Sequence, residues 1–65
     1  MSSVEIRLNA LLSKVSKENR YLLHLVAGKK RHTSSVIRNI TEISRRERRE
    51  LERLLDRYYD SQLSK

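Results

Sequence analysis

The sequence contains no cysteine, proline, tryptophan or phenylalanine, and its single glycine is Gly28. The lack of cysteine excludes disulfides and thiolate zinc sites. No apolar run is long enough for a signal peptide or a membrane span, so we expect an intracellular protein. Its place would be the cytoplasm or nucleoid, or a host cell if the protein is viral or plasmid-borne.

The chain has 65 residues, and we predict that residues 1–65 form a single helical-hairpin domain. A chain of this length buries only about 60% of its unfolded surface on folding. Because no disulfide can stabilise so small a core, we expect a second copy of the chain to do so. The length therefore favours a homodimer.

Positive charge dominates the composition, with 15 lysines and arginines against 8 aspartates and glutamates. Such an excess favours nucleic acid or an anionic membrane surface as a partner. Membrane binding is the weaker of the two, because apolar stripes that pair within a protein are not available to lipid. We expect no membrane association.

The first half of the chain has the pattern of an amphipathic helix from about residue 4 to residue 27. Ser2-Ser3-Val4-Glu5 matches a capping box, in which a serine caps the helix and a glutamate reaches back to it. Nine apolar residues then fall within an arc of roughly 160°. They are Val4, Leu8, Leu11, Leu12, Val15, Leu22, Leu23, Leu25 and Val26.

The second half has the same pattern and predicts a helix from about residue 34 to residue 61. Its apolar residues lie on an arc of similar width. They are Val36, Ile37, Ile40, Ile43, Leu51, Leu54, Leu55 and Tyr58. Ser44-Arg45-Arg46-Glu47 is itself a capping-box pattern, so a break near Ser44 is the main alternative.

Gly28 lies between the two predicted helices. Glycine ends helices readily, and the hydroxyls of Thr33 and Ser34 can cap a new one. We therefore predict an all-α fold: an antiparallel two-helix hairpin, with two copies pairing into a four-helix bundle. The polar pair Glu18-Asn19 would then lie opposite Ile43-Ser44 and fix the register.

The apolar arcs also predict which side chains fill the core or the dimer interface. They are Leu8, Leu11, Leu12, Val15, Leu22, Val26, Ile37, Ile40, Leu51, Leu54 and Tyr58.

The tip of the predicted hairpin is basic, because no acidic residue occurs between Glu18 and Glu42. Cations and helix N-terminal N–H groups together suit phosphate. The predicted primary contacts are Lys29, Lys30, Arg31, Thr33, Ser34 and Arg38. A secondary set, equally consistent with a solvated helix face, is Arg45, Arg46 and Arg49.

The sequence has no pattern typical of an enzyme. It has no phosphate-binding glycine loop, no paired carboxylates in a plausible cleft and no nucleophile with a neighbouring base. Its two histidines, His24 and His32, lack the neighbouring ligands of a metal site. We therefore predict no catalytic residue, no metal and no cofactor.

Two DNA-binding folds are alternatives to the hairpin. In a helix-turn-helix with a long C-terminal helix, Gly28 would lie in the turn, but five or more residues from Gly28 to the next helix exceed that compact turn. In a ribbon-helix-helix, residues 4–9 would form a strand. Both folds would also give a small DNA-binding dimer.

We therefore expect a small basic nucleic-acid-binding protein that contacts phosphates through its basic tip. DNA is favoured over RNA, and the role would be that of a regulator or architectural factor. The alternative is a protein-interaction adaptor or regulator that docks by its apolar helical stripe. In that case the basic tip would meet an acidic protein surface.

Overall fold

The computed structural model describes residues 2–63, which form four helices joined by three short connections. The helices are α1 (Ser3–Leu12), α2 (Lys17–Leu25), α3 (Lys30–Arg38) and α4 (Arg45–Leu63). The described residues contain no strand, so the all-α prediction is confirmed. The ribbon-helix-helix alternative is wrong, because residues 4–9 belong to α1. No helix within these bounds is long and apolar enough to cross a membrane.

The N-terminal capping prediction is confirmed at Ser2. The Ser2 hydroxyl accepts a hydrogen bond of 3.2 Å from the backbone N–H of Glu5. Ser2 itself is extended, with φ −75° and ψ 156°, as an N-cap residue should be.

The predicted continuous helix over residues 4–27 is wrong, because the chain breaks between Leu12 and Lys17. Ser16 is extended and its hydroxyl accepts from the backbone N–H of Asn19, so Ser16 caps a new helix. The connection nevertheless buries Val15, which is only 3% exposed. The helical spacing of the apolar residues therefore continues through the connection. For this reason the spacing did not reveal that the helix ends at Leu12.

The predicted continuous helix over residues 34–61 is also wrong, and the break lies where the alternative placed it. The backbone N–H of Glu47 donates to the Ser44 hydroxyl at 3.1 Å, and the N–H of Ser44 donates to the Glu47 carboxylate at 2.9 Å. This reciprocal pair is a complete capping box at the start of α4. Ile40 and Ile43 in the connection are both buried.

α1 packs against α4, α3 against α4, and α2 against α3. Two ion pairs show that α1 and α4 are antiparallel. The Arg7 guanidinium donates two hydrogen bonds of 2.8 Å to Glu50, and the Lys14 ammonium donates one of 2.7 Å to Glu47. The first and last helices, α1 and α4, thus pack against each other even though the helix predicted for each half of the chain is broken.

Nine buried apolar residues form one core to which all four helices and two of the connections contribute. They are Leu8, Leu11, Val15, Leu23, Ile37, Ile40, Ile43, Leu51 and Leu55. Of the other residues predicted for the core or dimer interface, Leu12, Leu54 and Tyr58 are partly buried and pack against it. Val26 is partly buried, and Leu22 is 46% exposed.

The turn between α2 and α3 contains Gly28, whose φ of +81° lies in the left-handed region that favours glycine. α3 begins at Lys30, only two residues after Gly28, so the predicted helix start near Ser34 is wrong. Lys29 occupies the N-cap position without a side-chain capping bond. The four-residue turn also removes the length objection to a helix-turn-helix, whose turn has three or four residues.

Candidate nucleic-acid interface

Side chains from α3 and α4 converge on two adjoining surface depressions. The first, about 450 Å³, is lined by Ile37, Arg38, Arg45, Arg48, Arg49 and Glu52. The second, about 470 Å³, is lined by Lys30, Arg31, Ser34, Arg38, Glu52 and Asp56. Because Arg38 and Glu52 line both, we treat the two as one feature, the α3–α4 groove.

The α3–α4 groove unites two segments that sequence analysis kept apart. Lys30, Arg31 and Arg38 come from the predicted basic tip, whereas Arg45 and Arg49 come from the arginine-rich run of the predicted secondary set. The folding of α3 against α4 brings them to one surface. The predicted continuous helix would also have placed Arg38, Arg45 and Arg49 on one face, but it would have kept Lys30 and Arg31 far from Glu52 and Asp56, which they meet in the structure.

The groove has six cations against two carboxylates, Glu52 and Asp56. In the part of the chain that the structure describes, the two ion pairs join Arg7 of α1 and Lys14 of the next connection to α4, and they involve none of these cations. The positive charge of the groove is therefore only partly compensated. Such a surface attracts anions, and the attraction becomes stronger as the salt concentration is lowered.

Arg48 is a groove residue that sequence analysis missed, and its role is partly structural. Its guanidinium donates hydrogen bonds of 2.8 Å to the carbonyl of Ile40 and 3.1 Å to that of Ile43. These bonds hold the connection before α4 against the helix. The signal was present in the sequence, since Arg48 lies three residues before Leu51 and seven before Leu55 on the core-facing stripe.

Two predicted phosphate contacts are engaged inside the protein instead. Thr33 is only 5% exposed, and its hydroxyl donates a hydrogen bond of 3.0 Å to the carbonyl of Val26. The Ser34 hydroxyl is half-buried and donates to the Glu52 carboxylate. Thr33 therefore stabilises the turn, and Ser34 holds a carboxylate at the floor of the groove.

The remaining predicted contacts lie outside the groove. Lys29 and Arg46 are exposed but line neither depression. Arg53 and Arg57 follow Arg45 and Arg49 at four-residue intervals in α4, but they line a separate depression of about 210 Å³ with Glu50 and Leu54. The arginines of α4 therefore do not all line the α3–α4 groove.

A second surface feature is apolar and lies on α2. Tyr21, Leu22 and Leu25 are each about half exposed, at 54%, 46% and 57%, and Lys17 and Glu18 flank them. We call these three the α2 patch. Exposed apolar side chains that lie together mark contact sites more often than scattered ones do.

A third surface feature is a depression of about 410 Å³ between α1, α2 and the second half of α4. Tyr58 and Tyr59 line it, with ring centres 5.8 Å apart in an edge-on arrangement. Burial raises the pKa of the Tyr59 phenol. Tyr58 packs against the core, which is the role that the sequence favoured.

No family model, curated protein or solved structure matches this chain. Among residues 2–63, no three histidine or acidic side chains lie close enough together to hold a metal ion. Function is therefore inferred from the geometry and charge of the chain's own residues.

Proposed function

We propose that this protein binds nucleic acid through phosphate contacts in the α3–α4 groove, as a regulator or architectural factor. The observation that supports this is the convergence of five cations on one surface, none of which forms an ion pair within residues 2–63: Lys30, Arg31, Arg38, Arg45 and Arg49. Each is exposed, so each is accessible to a phosphate from solvent. We favour DNA over RNA as the partner.

Glu52 and Asp56 act against anion binding, and their positions limit where phosphates can lie. Both are half-buried, and the Glu52 carboxylate accepts the Ser34 hydroxyl. The arginines at the edges of the groove are more exposed than these carboxylates. Phosphates would therefore bind along the rim formed by Arg38, Arg45 and Arg49 rather than in the floor.

The test compares two triple variants that remove the same charge. One changes three groove residues, Arg38→Ala, Arg45→Ala and Arg49→Ala. The other changes three α4 arginines outside the groove, Arg46→Ala, Arg53→Ala and Arg57→Ala. Affinity for a fluorescent DNA duplex and for RNA is measured by anisotropy at about 0.15 M salt.

We expect the groove variant to bind DNA at least tenfold more weakly than the control variant, since charge close to phosphates matters more than remote charge. Equal loss in both variants would mean that binding follows net charge and not the groove. Failure of the unmodified protein to bind DNA and RNA would contradict the proposed function.

The alternative, a protein-interaction adaptor, has the α2 patch as its specific support. Most of the apolar side chains predicted for the helical stripes are buried in the core of the protein. The α2 patch is therefore the main apolar surface that a partner could contact. The predicted homodimer would use the same residues and stays a prediction. Sedimentation at several protein concentrations, with and without Leu25→Asp, measures whether two copies associate through the patch.

A further inference from the structure

α2, the turn and α3 form one compact unit of two nine-residue helices joined by four residues. The carbonyl of Val26 holds the unit together, because it accepts from the backbone N–H of Lys29 and from the Thr33 hydroxyl, both at 3.0 Å. Two short helices joined by a three- or four-residue turn that contains glycine match the element order and turn length of a helix-turn-helix. The second helix of that motif lies in the DNA major groove.

One face of α3 is free, and it is basic. The helix buries Thr33 and Ile37 on its inner side. Arg31, Ser35 and Arg38 are exposed, and their spacing of four and three residues places them on one outer face. No acidic side chain lies anywhere from residue 19 to residue 41. The face therefore offers hydrogen-bond donors to DNA, and the carboxylates nearest to Arg31 and Arg38 are the half-buried Glu52 and Asp56 of α4.

The chemistry of these side chains fits base edges as well as phosphates. A guanidinium can donate two parallel hydrogen bonds to guanine in the major groove, and serine can bond to several bases. Arg38 also lines the α3–α4 groove with Arg45 and Arg49. If α3 lies in the major groove, the sugar-phosphate backbone of the DNA would thus contact the start of α4. Phosphate contacts there would fix the orientation of the protein on the duplex.

We infer that α3 enters the major groove of double-stranded DNA and that Arg31, Ser35 and Arg38 read base edges there. This inference rests on the proposed function. It adds that the nucleic acid is double-stranded DNA and that the protein distinguishes between DNA sequences. The major groove of B-DNA, about 12 Å wide, admits a helix, whereas that of A-form RNA is too narrow for side chains to read.

The test begins with the full chain and a library of DNA duplexes that contain a random segment of about 20 base pairs, at about 0.15 M salt. Bound duplexes are recovered and sequenced over several rounds. We expect one motif to be enriched. The unmodified protein should bind that duplex at least tenfold more tightly than a scrambled duplex of the same composition.

Charge-conserving variants then assign the reading residues. Arg31→Lys and Arg38→Lys keep the charge but lose the planar fork of the guanidinium. Each should reduce the preference for the selected duplex at least fivefold, while affinity for the scrambled duplex changes by less than about threefold. Arg45→Lys is the matched control and should keep the preference. Circular dichroism confirms that each variant is folded.

The outcomes separate this inference from the function on which it rests. Equal binding of all duplexes would overturn the inference and leave phosphate binding standing. A motif whose preference survives both Arg31→Lys and Arg38→Lys would also overturn it, because another surface would then be reading the bases. Absence of any DNA or RNA binding would overturn both.

Discussion

The carboxylate of Glu42 accepts a hydrogen bond of 2.9 Å from the backbone N–H of Ser16, 26 residues earlier in the chain. It also accepts from the Asn19 side-chain amide at 2.9 Å. Ser16 is the N-cap of α2, and in a capping box its N–H would be satisfied by a glutamate three residues later. Here Asn19 occupies that position, and Glu42 supplies the carboxylate from the connection before α4.

Glu42 therefore links the connection between α3 and α4 to the start of α2. Ionisation of its carboxylate should affect the stability of the fold. Its pKa is lowered from 4.5 to about 2, mainly by the Ser16 N–H and then by the Asn19 amide. The pKa of Glu47 is likewise lowered to about 2, mainly by Lys14 and then by the N–H of Ser44. Both carboxylates are easier to protonate in the unfolded chain than in the folded one.

The predicted consequence is loss of stability in acid. A group whose folded pKa is depressed contributes its full stability above the unfolded pKa and loses it as the pH falls towards the folded value. We therefore expect the thermal midpoint to be constant above about pH 5 and to fall steadily between pH 5 and pH 2. Thermal unfolding followed by circular dichroism measures this.

Variants identify the carboxylates responsible. Glu42→Gln should lower the thermal midpoint at pH 7 and flatten its decline in acid. Glu18→Gln is the matched control, because within residues 2–63 the Glu18 carboxylate forms no hydrogen bond or ion pair. An unchanged acid profile in Glu42→Gln would show that the bond to Ser16 does not contribute to stability.

The buried hydroxyl of Thr33 gives a second prediction. Thr33→Val keeps the shape of the side chain but removes its hydrogen bond to Val26. We expect the free energy of unfolding, measured in urea, to fall by about 1 kcal/mol. DNA affinity of the folded variant should not change, because the side chain is buried. Weaker DNA binding without loss of stability would instead support the phosphate contact that the sequence predicted.

Adjacent leucines on α2 give a matched pair of substitutions. Leu23 is 5% exposed, whereas Leu22 is 46% exposed and lies on the α2 patch. Leu23→Asp should unfold the protein, because it would bury an unpaired charge. Leu22→Asp should leave the helical circular dichroism spectrum intact. Unfolding by Leu22→Asp would show that this residue is covered, by a second copy or another partner.

Some of the fold could be read from sequence because local patterns determine it. The Ser2 N-cap, the Ser44 capping box, the turn at Gly28 and most core positions depend on residues close together in the chain. The break before α2 could not be read in this way. Its cap is completed by Glu42, and the buried Val15 keeps the apolar phase unbroken.

The candidate site was predictable in composition but not in arrangement. The excess of cations between Glu18 and Glu42 is visible in the sequence. The meeting of Lys30 and Arg31 with Glu52 and Asp56 requires the chain to turn back within its second half, which a continuous helix over residues 34–61 would not allow. The predicted helix start near Ser34 also placed Thr33 on the surface. In the structure α3 begins at Lys30, and Thr33 is on the buried side of that helix.

Salt dependence of DNA binding tests the central claim most directly. If the five exposed groove cations each neutralise one phosphate, the logarithm of affinity should fall with the logarithm of salt with a slope of about −4.5. If Arg31 and Arg38 contact bases instead, the three cations left for phosphates are Lys30, Arg45 and Arg49, and the slope should be about −2.7. Arg45→Ala should make that slope shallower by about 0.9, while Arg53→Ala leaves it unchanged. A slope near zero, or equal changes in the two variants, would contradict phosphate binding in the α3–α4 groove.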